Sequence, residues 1–454
     1  MKIFSKDHII EKKEDLIEWF FQGCKTPENW RIGTEHEKFA YYKKDTSYEP
    51  LPYLGDSSVK SLLNGLSKFG WERVYENNQP IALKKNNQSI TLEPGGQIEL
   101  SGAPLENIHQ TCGEVNDHLF QLSEISKPLK IVLIGIGSRP DKGIDKIPWM
   151  PKERYKIMKN YMHTKGKKGI EMMLNTCTVQ VNLDYSSEND MARKMRIATC
   201  LQPIATAIFA NSSISNNKPN GFLSWRNEVW RDTDPDRCGV LPNVMEENYC
   251  FEKYVDFALS VPMYFVKREG KYINCAGMSF KDFMNGKLEI LPKQLPNIGD
   301  WEDHLTTIFT DVRIKQFIEM RGADSGSWKH ICALPALWVG LLYDQNALHG
   351  AEDICKIFKI EDIKNLINEV SVRGLSAKIK DISVKDLALE ILKLSIDGLV
   401  RRKKFDGAGN DESGFLDSLF DSVSSGKTPA ETLLSKYEKD WKKNMNLLFD
   451  DLAY

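Results

Sequence analysis

Carboxylates, amides and guanidiniums recur in this sequence two residues apart, the spacing that puts side chains on one face of a β-strand. Glu35 and Glu37 share a face of residues 31–41 (RIGTEHEKFAY), with Ile32, Thr34, His36 and Lys38 on the other. Glu93 and Glu99 flank Pro94-Gly95-Gly96 in residues 89–102 (SITLEPGGQIELSG), where Thr91, Gln97 and Ser101 join them on the polar side. Gln180 and Asn182 alternate with Val179 and Val181 in residues 177–184 (CTVQVNLD), and Glu319 and Arg321 share a face of residues 313–321 (RIKQFIEMR). Taken singly, such residues form a solvated surface. Converging in one cavity, four or five carboxylates would repel one another without a cation, and hard oxygen donors select Mg²⁺ or Mn²⁺ over zinc. Mg²⁺ held this way typically bridges nucleotide phosphates. The residues alone leave both readings open.

The elements that must position these groups follow from hydrophobic periodicity. Residues 89–102 alternate on both sides of a Pro/Gly turn, which predicts a β-hairpin, with a partner strand near residues 79–84. Residues 31–41, 130–137, 177–184 and 313–321 are expected as further strands. Helical stripes run through residues 7–21, 57–70, 105–125, 152–162 and 188–210, the last expected to kink at Pro203. Arg154 falls near the start of the 152–162 helix. Residues 211–239, rich in Asn, Ser, Asp and Pro, are expected as a long functional loop carrying Arg226. A second hairpin is expected around Glu269-Gly270, and helices from Trp328 to the end, with breaks near residues 373–374, 406–414 and 426–429.

Composition narrows the class. The chain has 454 residues, 41% hydrophobic and 27% charged, with net charge −2, so nothing global favours nucleic acid or an anionic membrane. No apolar run reaches the ~18 residues of a membrane span. The nine cysteines lack CxxC or Cys/His ligand spacing, which argues against zinc and against a disulfide scaffold. A cytoplasmic protein with reduced thiols is the expectation, since no Arg- and Ser-rich, acid-poor transit segment is evident. The fold class expected is α+β: one large catalytic domain over residues 1–454, with an N-terminal helix in 1–25, a sheet-bearing core in 31–321 and a helical part in 328–454.

At the level of motifs, RIGTEHEKFAY, ITLEPGGQIELSGAPLENIHQTCGEVN, TCTVQVNLD, KPNGFLSWR, LTTIF and FIEMRGADSG resemble the plant and proteobacterial type of glutamate–cysteine ligase. The resemblance runs from about Arg31 to the C-terminus. It implies a curved antiparallel sheet cupping the active site, as in glutamine-synthetase-like carboxylate–amine ligases, with helices outside. The implied reaction joins glutamate to cysteine with ATP as co-substrate, through a γ-glutamyl phosphate, as the first step of glutathione biosynthesis. Glu35, Glu37, Glu93, Glu99, Gln180 and Glu319 match positions that hold Mg²⁺ or Mn²⁺. Arg321, with Glu319, matches the catalytic positions at the transferring phosphate. Arg154 and Arg226 match substrate-carboxylate positions, a task suited to the bidentate guanidinium. Tyr264 and Asn182 complete the expected substrate set. Partners expected are the three small-molecule substrates, with glutathione feedback, no nucleic acid, no membrane and a monomer or weak homodimer.

The same resemblance bears on redox control. Cys112 (HQTCGEV) and Cys332 (KHICALP) match one regulatory disulfide of the plant enzymes, whereas Cys275 has lost its partner, because Ile290 stands at the matching position. By their surroundings alone, Cys112 and Cys332 are equally two packed thiols in apolar helices. Two rivals to the main reading stand: a γ-glutamyl ligase using another amine on the same scaffold, and a non-catalytic homologue.

Overall fold

The alternating polar stretches become the middle of one antiparallel sheet. The computed structural model describes residues 3–454. In chain order the sheet's strands are β1 (Ile32–Lys44), β2 (Ser47–Pro50), β3 (Glu72–Glu76), β4 (Gln79–Lys85) and β5 (Gln88–Leu92). They continue with β6 (Ile98–Ser101), β7 (Ile131–Ile134), β8 (Thr178–Leu183), β9 (Val312–Ile314) and β10 (Ile318–Asp324). Their order across the sheet is β9-β10-β8-β1-β6-β5-β4-β3, with β2 and β7 paired to the far end of β1. Directly opposite residues of an antiparallel pair share a face. The register sets Glu37 opposite Glu99, Glu35 opposite both Ser101 and Gln180, Thr91 opposite Glu99, and Glu319 opposite Asn182.

The other face of the same strands is apolar. Ile90, Leu92, Leu100, Val179, Val181 and Leu183 are fully buried. Each such side chain contributes about 1.5–3 kcal/mol by leaving water. The helices Glu188–Ile208 and Trp328–Leu342 pack against β10 and β8 there, each running through an internal proline, Pro203 and Pro335. This back layer fixes the register, because a one-residue slip would bury the glutamates and expose the valines.

The hairpin turn is built by close approach. Gly96 has φ +82°, and a Cβ on Gly95 would lie 2.5 Å from the carbonyl oxygen of Leu174. The second hairpin turns at Glu269 and Gly270, both at positive φ, between Phe265–Arg268 and Lys271–Asn274.

Three expectations need correction. The first helix spans Lys13–Phe21 and does not begin at Asp7, because Ile9 and Ile10 pair with the backbone near residues 296–297. Residues 313–321 form not one strand but the β9–β10 hairpin, folded at Lys315, whose N–H donates to the Phe317 carbonyl. The stretch 211–239 is not a long loop. It carries a helix, Trp225–Arg231, whose N-cap Ser224 accepts from the Asn227 N–H and whose last turn pairs Arg231 with Glu228. C-terminal to Trp328 the chain is helical apart from one two-residue strand pair, with Gly374 ending the helix Ile360–Arg373.

Candidate active site

The concave face of the sheet lines a cavity of about 320 Å³. Glu35, Glu37, Glu93 and Glu99 form its floor with Gln180, Thr91, Ser101 and Thr178. Burial, first, and then the neighbouring carboxylates push Glu37 well above the ordinary range; Glu35 and Glu99 rise for the same two reasons. Glu93 rises through burial too, although Lys152, Arg154 and Arg321 pull it down. Protein donors to these carboxylates are few. Glu37 accepts from the Thr178 N–H (3.0 Å), Glu35 from the Asn182 amide (2.9 Å), and Glu99 from Ser101 (2.7 Å) and Thr91 (3.3 Å). Two carboxylates placed directly opposite, as Glu37 and Glu99 are, destabilise a sheet unless something positive joins them.

Glu319, expected in the metal and catalytic sets, is a carboxylate of another kind and does not line the cavity. It is fully buried on β10, yet lies well below the ordinary range. Burial alone would raise it, but Arg313, Lys315 and Arg321 overcome that. Arg313 donates two bonds from Nη2 at 2.6 and 2.8 Å and one from Nε at 3.1 Å, Lys315 lies at 3.3 Å, and Arg321 also donates to it. Arg321 is displaced from the regular ladder by a bulge between Met320 and Ala323 and donates to Gln180 Oε1 at 2.6 Å. Arg226, on the Trp225–Arg231 helix, is 3% exposed and donates to the Arg321 carbonyl at 2.9 Å.

Across the cavity stands a second cationic wall. Lys152 and Arg154 enter from the start of the helix Glu153–Met162, and Lys152 Nζ donates to the Leu92 carbonyl at 2.8 Å. Burial pulls Lys152 down to about 8. Lys152, Tyr155, Arg313 and Lys315, which the sequence reading does not single out, line the cavity too, as does Trp230. For Arg313 and Lys315 the available signal is their even spacing, two residues from each other and an even number from Glu319 and Arg321.

Two expected substrate residues stand elsewhere. Tyr264 is 1% exposed and does not line the cavity; its ring stacks against Arg237 (3.9 Å) and meets Tyr161 edge-on. Asn182 also stands outside the lining and spends its amide on Glu35. Gln97 does reach the cavity but turns inward, donating to the Thr176 carbonyl at 2.9 Å.

Among the described residues, no three His, Cys, Asp or Glu side chains close on a single metal-sized point. The donor set nevertheless fits hard divalent cations: oxygen-only ligands, under-hydrogen-bonded and mutually repelling. An open set suits Mg²⁺, which keeps waters and shares its shell with phosphates. Glu319 would have to exchange its present cationic partners to join.

Away from the cavity, Cys112 on the helix Ile108–Ser126 and Cys332 on Trp328–Leu342 are buried neighbours that no disulfide joins. Burial, then Cys332 beside it, raises the Cys112 thiol far above its ordinary value. Cys200 and Cys355 are a similar pair of neighbours that the sequence did not suggest. Cys275 is buried and unpaired by any disulfide.

Fold and site together define the class: a ligase built on a curved antiparallel sheet, with an acidic floor between cationic walls. The glutamate-cysteine ligase family 2 (GCS2) pattern matches residues 31–450, and the chain belongs to that family. It is 52% identical over 443 residues to glutamate–cysteine ligase B, chloroplastic, of Oryza sativa subsp. japonica, covering 97% of this chain and 87% of that one. It is 51% identical to the chloroplastic glutamate–cysteine ligase of Medicago truncatula (97% and 85% covered) and 50% identical to that of Arabidopsis thaliana (97% and 83%). A solved glutamate–cysteine ligase of Francisella tularensis, in complex with AMP, superposes with TM-score 0.53 at 15% identity, covering 94% of this chain and 88% of that one, which shows the shared fold. The names of the plant relatives correct the cytoplasmic expectation: they are chloroplastic and point to a plastid.

Proposed function

We propose that this chain, as a single catalytic unit, joins the γ-carboxylate of L-glutamate to the amine of L-cysteine at the expense of ATP. The products are γ-glutamylcysteine, ADP and phosphate, the first step of glutathione biosynthesis. The observation that carries this reading is the acidic floor of Glu35, Glu37, Glu93 and Glu99, short of donors and set between two cationic walls.

A carboxylate is a poor acyl donor, so its oxygen first takes the terminal phosphoryl of ATP, a transfer that needs positioning and charge neutralisation. Mg²⁺ or Mn²⁺ held by the floor carboxylates and Gln180 supplies that neutralisation when bound. Arg321, fixed by Glu319 and Gln180, faces the phosphoryl in flight, with Arg313 and Lys315 adding positive charge behind it. Arg226 and Arg154, on opposite walls, are placed to clamp amino-acid carboxylates. The cysteine amine then attacks the γ-glutamyl phosphate and phosphate leaves. Glutathione, as a γ-glutamyl product, would compete for the same clamps.

The test is ADP release with glutamate and Mg²⁺, comparing cysteine, 2-aminobutyrate, ammonia and no amine. Turnover greatest with cysteine is expected. Turnover greatest with another amine would assign a different γ-glutamyl ligase, and no turnover with any amine would leave a non-catalytic homologue.

A further inference from the structure

Beside the cavity, sharing Arg226, Trp230, Phe309 and Arg321 as walls, is a throat of about 10 Å³ that Asp311 also lines; it shares Trp230 and Asp311 with an outer pocket of about 250 Å³. Val240, Lys364 and Asn368 help line the outer pocket, and Lys364 and Asn368 are exposed. The throat has room for about one water molecule. Asp311 lines both spaces. Its backbone carbonyl accepts the Arg321 N–H at 3.0 Å, while no described residue donates a hydrogen bond to its carboxylate.

The contrast with Asp324, another acid beside Arg226, is informative. Asp324 is fully engaged by Ser212 (2.6 Å), Ser224 (2.9 Å) and the Asn211 N–H (2.8 Å). Asp311 keeps its oxygens free. Burial raises it to about 6, against the pull of Arg226 and Arg321.

The chemistry proposed above has a proton to dispose of. An amino-acid amine arrives as an ammonium with no lone pair. It must lose a proton before the N–C bond forms and the C–O bond to phosphate breaks, the phosphate leaving with that electron pair. We propose that Asp311 accepts this proton through the throat water and passes it to solvent by the outer pocket. The inference rests on the ligase reading of the main cavity.

Hydroxylamine separates the two claims, because it is largely uncharged at neutral pH and traps an acyl phosphate as the hydroxamate. Asp311→Asn should lower kcat with cysteine by roughly 100-fold, the scale of a lost proton acceptor. KM for glutamate and ATP should stay within about twofold, and Asp311→Glu should recover most of the rate. With hydroxylamine, the Asp311→Asn variant should form γ-glutamyl hydroxamate at close to the wild-type rate. An equal fall with both nucleophiles, or no fall with cysteine, would overturn the role of Asp311. Failure of the wild-type protein to form any hydroxamate would instead overturn the acyl-phosphate reading beneath it.

Discussion

Two kinds of glutamate stand on one sheet and are held in opposite states. Glu37, on β1, faces Glu99 and gains one backbone N–H, and its carboxyl sits well above the ordinary range. Glu319, two strands away on β10, meets two guanidiniums and an ammonium and sits well below it. Residue type and burial are the same; only the partners differ. A buried charge with its countercharges in place belongs to the scaffold, whereas a cluster of buried like charges without them persists only where something else supplies the cation.

The largest effect should come from breaking the acidic floor. Glu93→Gln should lower kcat by about 100-fold or more, a loss of ~3 kcal/mol of transition-state stabilisation. Its thermal stability without metal should change little, because the half-buried Glu93 carboxyl loses the pull of Lys152, Arg154 and Arg321 together with its burial and the repulsion of Glu35. Activity near wild type at saturating Mg²⁺ would take Glu93 out of the metal set.

Glu319→Gln should do the reverse in stability. Removing one partner of a buried ion pair costs about 3–5 kcal/mol, and here three cations lose their anchor, so Tm should fall together with activity. The wild-type contribution of Glu319 is present above the ordinary carboxylate value of 4.5 and disappears as pH falls through its depressed folded value. A Glu319→Gln protein as stable as wild type would erase the distinction between the two glutamates.

Arg226→Lys is a smaller perturbation on the cationic side. The charge stays and the fork is lost, so KM for glutamate or cysteine should rise by about 10-fold with kcat less affected. An effect confined to KM for ATP would move Arg226 to the nucleotide.

The smallest expected effect lies outside the cavity. Cys112→Ser should change activity by less than about twofold in dithiothreitol, because the thiol is buried and held protonated. The wild type should lose activity on reduction if Cys112 and Cys332 cross-link. Identical activity in all samples would leave the pair as core packing.

The unmatched side was the legible one. Strict two-residue alternation in residues 31–41, 89–102 and 177–184 named Glu35, Glu37, Glu93, Glu99 and Gln180, because a sheet converts alternation directly into a shared face. The matched side was harder to read. Residues 313–321 alternate well enough to pass as one strand, and the turn at Lys315 carries no glycine or proline to mark it. Pro, Asn and Ser crowding the approach make Arg226 read as a loop residue, although the Ser224 cap and the Glu228–Arg231 spacing signal a helix. Lys152 and Tyr155 could not be found by pattern, since they meet the hairpin only through the Leu92 carbonyl, a contact set by tertiary packing.

The most direct test of the account is the Tm gain on adding Mg²⁺, measured as a function of pH. Carboxylates raised in the folded state remain protonated there after the unfolded chain has ionised. Metal-free stability therefore falls as pH climbs from about 4.5 through their folded values. Bound Mg²⁺ removes that loss, so the gain should grow as pH rises above the ordinary carboxylate value of 4.5 and vanish in a Glu37→Gln/Glu99→Gln variant. A gain that is flat with pH, or that survives intact in the double variant, would contradict the claim that this acidic floor is built to receive a divalent cation.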